Sequence, residues 1–162
     1  MSFSYHSSQE IWRREGGREL ARCFSCGVYY RDGFNLDCSH LSHKRDSDYD
    51  DPNNGVLECL KCHLKRHVGL YFRAACLDKK KRVQQEKFSC LSICYRIIMG
   101  EGKWTNNQEV SKIKVKFIKR RIVNVILEAG YFHREDATFD GVTQLQIKDG
   151  MKAIQDLIVL ID

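Results

Sequence analysis

Two cysteine pairs bracket a stretch rich in imidazole. Cys23-Phe24-Ser25-Cys26 opens it and Cys59-Leu60-Lys61-Cys62 closes it. Between them stand Leu36-Asp37-Cys38-Ser39-His40 and Asn54, and His63 and His67 follow the last cysteine. The sulfur set can close a structural zinc site. The imidazoles can hold a second metal ion and activate a water.

A two-residue gap lets both thiolates of a C-x-x-C knuckle reach one ion, and two such knuckles a few tens of residues apart match a four-sulfur zinc site. The ion ties distant segments together, so its binding energy becomes folding energy. The competing readings are ordinary buried cysteines or two disulfides. Met1-Ser2-Phe3-Ser4-Tyr5 lacks the basic start and apolar run of a secretory signal. A reducing, cytoplasmic compartment is therefore expected, and paired cysteines there usually mean metal.

The joint order of these residues resembles the HNH endonuclease family, the ββα-metal fold, and within it the phage NinG-like recombination and junction nucleases. Leu36 to Leu41 fits the first half of the motif and Asn54-Gly55-Val56-Leu57-Glu58-Cys59-Leu60-Lys61-Cys62-His63 fits the second in order and spacing. The likeness covers about residues 20 to 70. It implies an α+β, mostly helical protein, with a zinc-stapled ββα core and added N- and C-terminal helices. The implied activity is metal-dependent hydrolysis of DNA phosphodiester bonds, on branched or recombination-intermediate DNA.

The implied roles have physical grounds. His40 is the candidate general base, because a neutral imidazole accepts a proton near pH 7. Asn54 would position it, although Asn54-Gly55 is also a turn signal. His63, with His67 one helical turn on, would hold a catalytic Mg²⁺ or Mn²⁺. Cys23, Cys26, Cys59 and Cys62 would hold structural Zn²⁺. Many family members place a ligand just before the base histidine, where this chain has Ser39, so the metal would rest on His63, His67 and waters, or recruit Asp37 or His43. His43 is also the rival base. His6 and His133 fall outside the pattern and read as surface residues. The same pattern fits a zinc-dependent DNA-binding protein that does not cut, or a nicking, homing or restriction nuclease.

Charge agrees with a nucleic-acid partner. Lys and Arg number 27 against 21 acids, a net charge of +6. The balance is modest, so clustering carries the argument. Lys44 and Arg45 lie beside His43, and Lys65 and Arg66 lie in the proposed metal helix. Lys79-Lys80-Lys81-Arg82 is an unbroken run. Six cations fall within residues 112 to 121, among them Lys116, Lys119, Arg120 and Arg121. Such patches suit phosphate backbones, single-stranded or branched, without sequence preference. A solvated helix face is the plain alternative.

Periodicity sets the expected elements. Ser8 caps a helix through about Ala21, with Gly16-Gly17 weakening its middle and Trp12 and Leu20 packing on the zinc unit. Short strands cover Phe34 to Ser39 and Gly55 to Glu58. Helices run from about Lys61 to Asp78, Val83 to Met99, Asn107 to Ala129 and Val142 to Leu160. The domains expected are an N-terminal helix over 1–22, the nuclease core over 23–78 and a basic helical extension over 79–162. The apolar stripes of that extension pack on each other or across a homodimer. Cys76 and Cys90 read as buried small hydrophobes. No apolar run is long enough for a membrane span and no Walker loop or dinucleotide fingerprint is present, so no nucleotide cofactor is expected.

Overall fold

A computed structural model describes residues 2–42, 48–76, 80–100, 112–128 and 144–161. The described residues form six α-helices and one two-stranded antiparallel sheet, an α+β arrangement that is mostly helical. They divide into two compact units, residues 1–63 and 64–162. The division falls inside a helix, fifteen residues before the boundary drawn from sequence at 78/79.

In the first unit, helix α1 runs Tyr5–Arg14 and helix α2 runs Gly17–Leu20. The cap is Ser4, not Ser8: its side chain accepts from the Ser7 amide at 3.2 Å, meeting one of the orphan donors of the first turn. The expected single helix is broken because Gly16 and Gly17 both adopt positive φ, 84° and 65°. Strand β1, Leu36–His40, pairs with strand β2, Gly55–Cys59. The register sets Leu36 opposite Cys59, Asp37 opposite Glu58, Cys38 opposite Leu57, Ser39 opposite Val56 and His40 opposite Gly55. Helix α3, Leu60–Cys76, starts directly after β2.

Side chains alternate across a strand. Leu36, Cys38 and His40 therefore share the face covered by α1, whose Ser8 carbonyl lies 3.9 Å from the Cys38 sulfur. Gly55 has no side chain for a steric reason. A Cβ there would lie 2.2 Å from Ile11 Cδ1 and 2.8 Å from Phe3 Cζ. Phe3, Ile11, Ala21, Leu36, Val56, Leu57 and Leu60 form the small buried core of this unit. Trp12 packs edge-on against Tyr30, but Leu20 is exposed because α2 is a single turn that points it to solvent.

The second unit holds the rest of α3 with α4 (Lys80–Ile98), α5 (Lys112–Glu128) and α6 (Gln144–Ile161). Helices α4, α5 and α6 pack against one another. Phe88, Leu91 and Ile97 of α4 meet Ile118, Ile122 and Ile126 of α5 and Met151, Ile154 and Leu157 of α6 in an apolar core. Most large apolar side chains on these helices are buried among the described residues, but Phe117 and Phe72 are exposed, each one position off the face its helix buries. On α3, Leu64, His67 and Tyr71 are buried in this unit. Cys90 and Cys94 are fully buried, and burial pushes both thiols well above the ordinary range. Cys76 has no described side chain. Among the described residues, no helix is long and apolar enough to cross a membrane.

Candidate functional site

The four paired cysteines converge. Cys23 and Cys26 lie on a small ribbon closed by an Arg22–Tyr29 bridge, with the Cys23 amide donating to Val28 at 2.8 Å. The Phe24 amide donates to the Leu57 carbonyl at 2.8 Å, which docks this knuckle on β2. Cys59 ends β2 and Cys62 sits in the first turn of α3. Their sulfurs all lie within 4.8 Å of one another. Cys26 and Cys59 are 3.7 Å apart. That is too long for a disulfide, whose sulfurs are about 2.0 Å apart, and all four are free thiols. It is close to the roughly 3.8 Å that tetrahedral geometry with Zn–S bonds of about 2.3 Å requires. A sulfur cluster of this kind can hold an ion such as zinc.

Its electrostatics point the same way. Hydrogen bonds from Cys59 and Cys62 hold the Cys23 thiol far below its usual range. Donation to Cys23 in turn pushes Cys59 up to about 12 and Cys62 higher still. A thiolate on Cys23 thus disfavours further negative charge on Cys59 and Cys62, which a cation among the sulfurs would relieve.

His40 ends β1 and is 4% exposed. Its ring is sandwiched, with Phe3 stacked at 3.7 Å and 9° on one side and Tyr49 at 4.2 Å and 20° on the other. Asn54 closes the loop that follows. Its side-chain oxygen accepts from the Ser42 amide at 2.8 Å and its Nδ2 donates to the Ser42 carbonyl at 3.0 Å. The Leu41 amide donates to the Asn54 carbonyl at 2.8 Å. Asn54 also ends the short 3-10 turn Pro52–Asn54, so it serves the turn and the brace together. Asp50 joins the loop to the segment before α1. It accepts from the Ser4 amide at 2.7 Å and the Ser7 hydroxyl at 3.0 Å. The Ser4 bonds, with the His40 ring nearby, hold the Asp50 carboxyl below its ordinary value.

The other face of the hairpin carries Asp37, Ser39 and Glu58. His63 reaches it from α3, with Nδ1 3.5 Å from Asp37 Oδ2. Asp37 thus stands beside His63, and the Ser39 hydroxyl is buried with no hydrogen-bond partner among the described residues. His40 and the Asp37–His63 pair lie on opposite faces of the strand. Glu58, which sequence reasoning passed over, is fully buried and accepts from the Ser25 hydroxyl, linking the first knuckle to β2. Its only sequence signal is its place before Cys59 in a buried strand.

His67 lies in the second unit, where its Nδ1 is 2.9 Å from Glu86 Oε2 and both side chains are buried. The candidate phosphate contacts differ in exposure. Lys65, Lys116, Lys119 and Arg120 are exposed, and Arg66 is half-buried. Arg121 pairs with Asp149 at 3.0 Å. The backbone of Lys80, Lys81 and Arg82 begins α4. His43, Lys44, Arg45, Lys79 and His133 lie outside the described residues, and His6 is exposed. Three exposed arginines escaped the search for basic runs. Arg31 lies over the Tyr29 ring at 4.6 Å, Arg18 over Tyr30 at 5.9 Å, and Arg22 projects from the first knuckle. No family model, curated protein or solved structure matches the chain.

Proposed function

We propose that the protein is a metal-dependent HNH-type endonuclease that hydrolyses DNA phosphodiester bonds. The observation that supports this most is the His63–Asp37 pair at 3.5 Å, on a helix entered straight from a hairpin whose other strand ends in His40. A carboxylate and an imidazole suit Mg²⁺ or Mn²⁺ with water filling the remaining positions. When bound there, the ion supplies positive charge to the scissile phosphate and its departing 3′-oxygen.

The chain's own groups do the rest. The imidazole of His40 takes the proton of the attacking water as the water's oxygen bonds to phosphorus. The phosphorus–3′-oxygen bond breaks, leaving a 5′-phosphate end. Asn54 fixes the backbone after His40, and the exposed cations, Arg18, Arg22 and Arg31 included, hold the DNA backbone. Branched DNA is the substrate class we favour, on the likeness to junction nucleases.

A second reading rests on the burial of His40. A histidine packed between two rings can be a core residue, and the protein would then be a zinc-dependent DNA-binding module that does not cut. Supercoiled plasmid with Mg²⁺ or Mn²⁺ separates the two. The nuclease nicks or linearises it, and the binding module only shifts it. His40→Ala is expected to lower nicking by about 10²–10⁴-fold, the usual worth of a general base, with zinc content and DNA binding unchanged. Nicking that survives His40→Ala at full rate refutes the assignment.

A further inference from the structure

We propose that Phe3 and Tyr49 are positioning residues that clamp the His40 ring in the orientation proton transfer needs. This rests on the nuclease reading above and adds to it a part that lies outside the H–N–H pattern.

The clamp is built from two sides. Phe3 lies nearly parallel to His40, at 3.7 Å and 9°, and is itself buried. Tyr49 covers the opposite ring face at 4.2 Å and 20°. Neither contact is incidental to chain path. Phe3 fits because the residue paired with His40 across the hairpin is Gly55, where a Cβ would stand 2.8 Å from the Phe3 ring. The segment before α1 is then fastened to the Tyr49 loop. The Ser4 amide donates to Asp50 Oδ1 at 2.7 Å, and the Ser7 hydroxyl donates to the Asp50 carbonyl at 2.7 Å. Asn54 anchors the chain just after His40 through Ser42.

The physical consequence follows from ring geometry. The torsion that turns an imidazole about its Cβ–Cγ bond is soft and broad. Two aromatic faces at stacking distance remove that freedom and leave only the ring edge for hydrogen bonding. A general base must hold its nitrogen in line with the water it deprotonates, and a misplacement of about 1 Å can lower the rate about 10²-fold. The clamp therefore acts on turnover, not on DNA affinity.

Phe3→Leu is the deciding variant, because leucine keeps the apolar packing and loses the flat ring. In the full-length, zinc-loaded protein, kcat for plasmid nicking is expected to fall about tenfold or more with KM unchanged, and Phe3→Tyr to restore it. The His40 ring protons, read by NMR, should lie upfield in the wild type from the two ring currents and move downfield in Phe3→Leu. A Phe3→Leu enzyme with unchanged kcat overturns the clamp, and a raised kcat overturns it in favour of a lid. Unmoved His40 resonances also overturn it. If the wild type cuts no DNA, the nuclease reading fails and the catalytic role of the clamp fails with it. If the wild type cuts and Phe3→Leu cuts equally well, the clamp alone is refuted.

Discussion

The two compact units are held together by different means. The second buries matched apolar stripes from three long helices, and its fully buried residues include Leu91, Ile122, Ile126 and Ile154. The first has two short strands, two short helices and a small apolar core, and it places four thiols within 4.8 Å of one another. Small units bury too little surface to be stable on hydrophobic area alone, and metal is a common remedy. The contrast bears on chemistry. The unit with the poorer core carries His40, Asn54, Asp37 and His63. Fixing its chain with sulfur leaves strand ends and loops free to present polar groups that an apolar core would exclude.

The largest test of that contrast is removal of any metal that the four sulfurs hold. Structural zinc in small domains contributes on the order of 10–16 kcal/mol, as much as a whole domain's net stability of about 5–15 kcal/mol. Chelation or Cys59→Ser is therefore expected to unfold the first unit and leave the helical signal of the second. Zinc analysis and far-ultraviolet circular dichroism check this, and a fully folded, zinc-free Cys59→Ser protein would break the comparison. A smaller effect is expected at Ile154, which is fully buried in the second unit. Ile154→Ala should cost about 2–5 kcal/mol through lost transfer energy and a residual cavity. In a thermal melt it should lower only the transition that chelation does not touch. The smallest of the three is Gly55→Ala. The added methyl would press on Ile11 and Phe3, and overpacking of this kind costs about 1–3 kcal/mol. It should lower the melting temperature of the zinc-bound first unit without releasing zinc, since no sulfur moves.

Much of this was legible in the residues. The C-x-x-C spacing foretold the sulfur cluster because two knuckle geometries leave few alternatives. The hairpin and α3 came from local alternation and periodicity, which depend on near neighbours. The misses had non-local causes. Ser8 reads as well as Ser4 for a cap, and what fixes the start of α1 is Asp50, far along the chain, accepting from Ser4 and Ser7. Leu20 looked like packing surface until two left-handed glycines cut its helix short. His67 meets Glu86 of α4, a partner nineteen residues on that the spacing within α3 could not name.

Sequence by itself determined the ligand types, their order and the period of each element, because these depend on residue chemistry and on spacings of a few residues. Only the tertiary structure decided which groups meet. Asp37 beside His63, Glu58 on Ser25, and His40 between Phe3 and Tyr49 all join residues distant in the chain. Their meeting depends on strand register and on helices docking across it, and no local pattern encodes that.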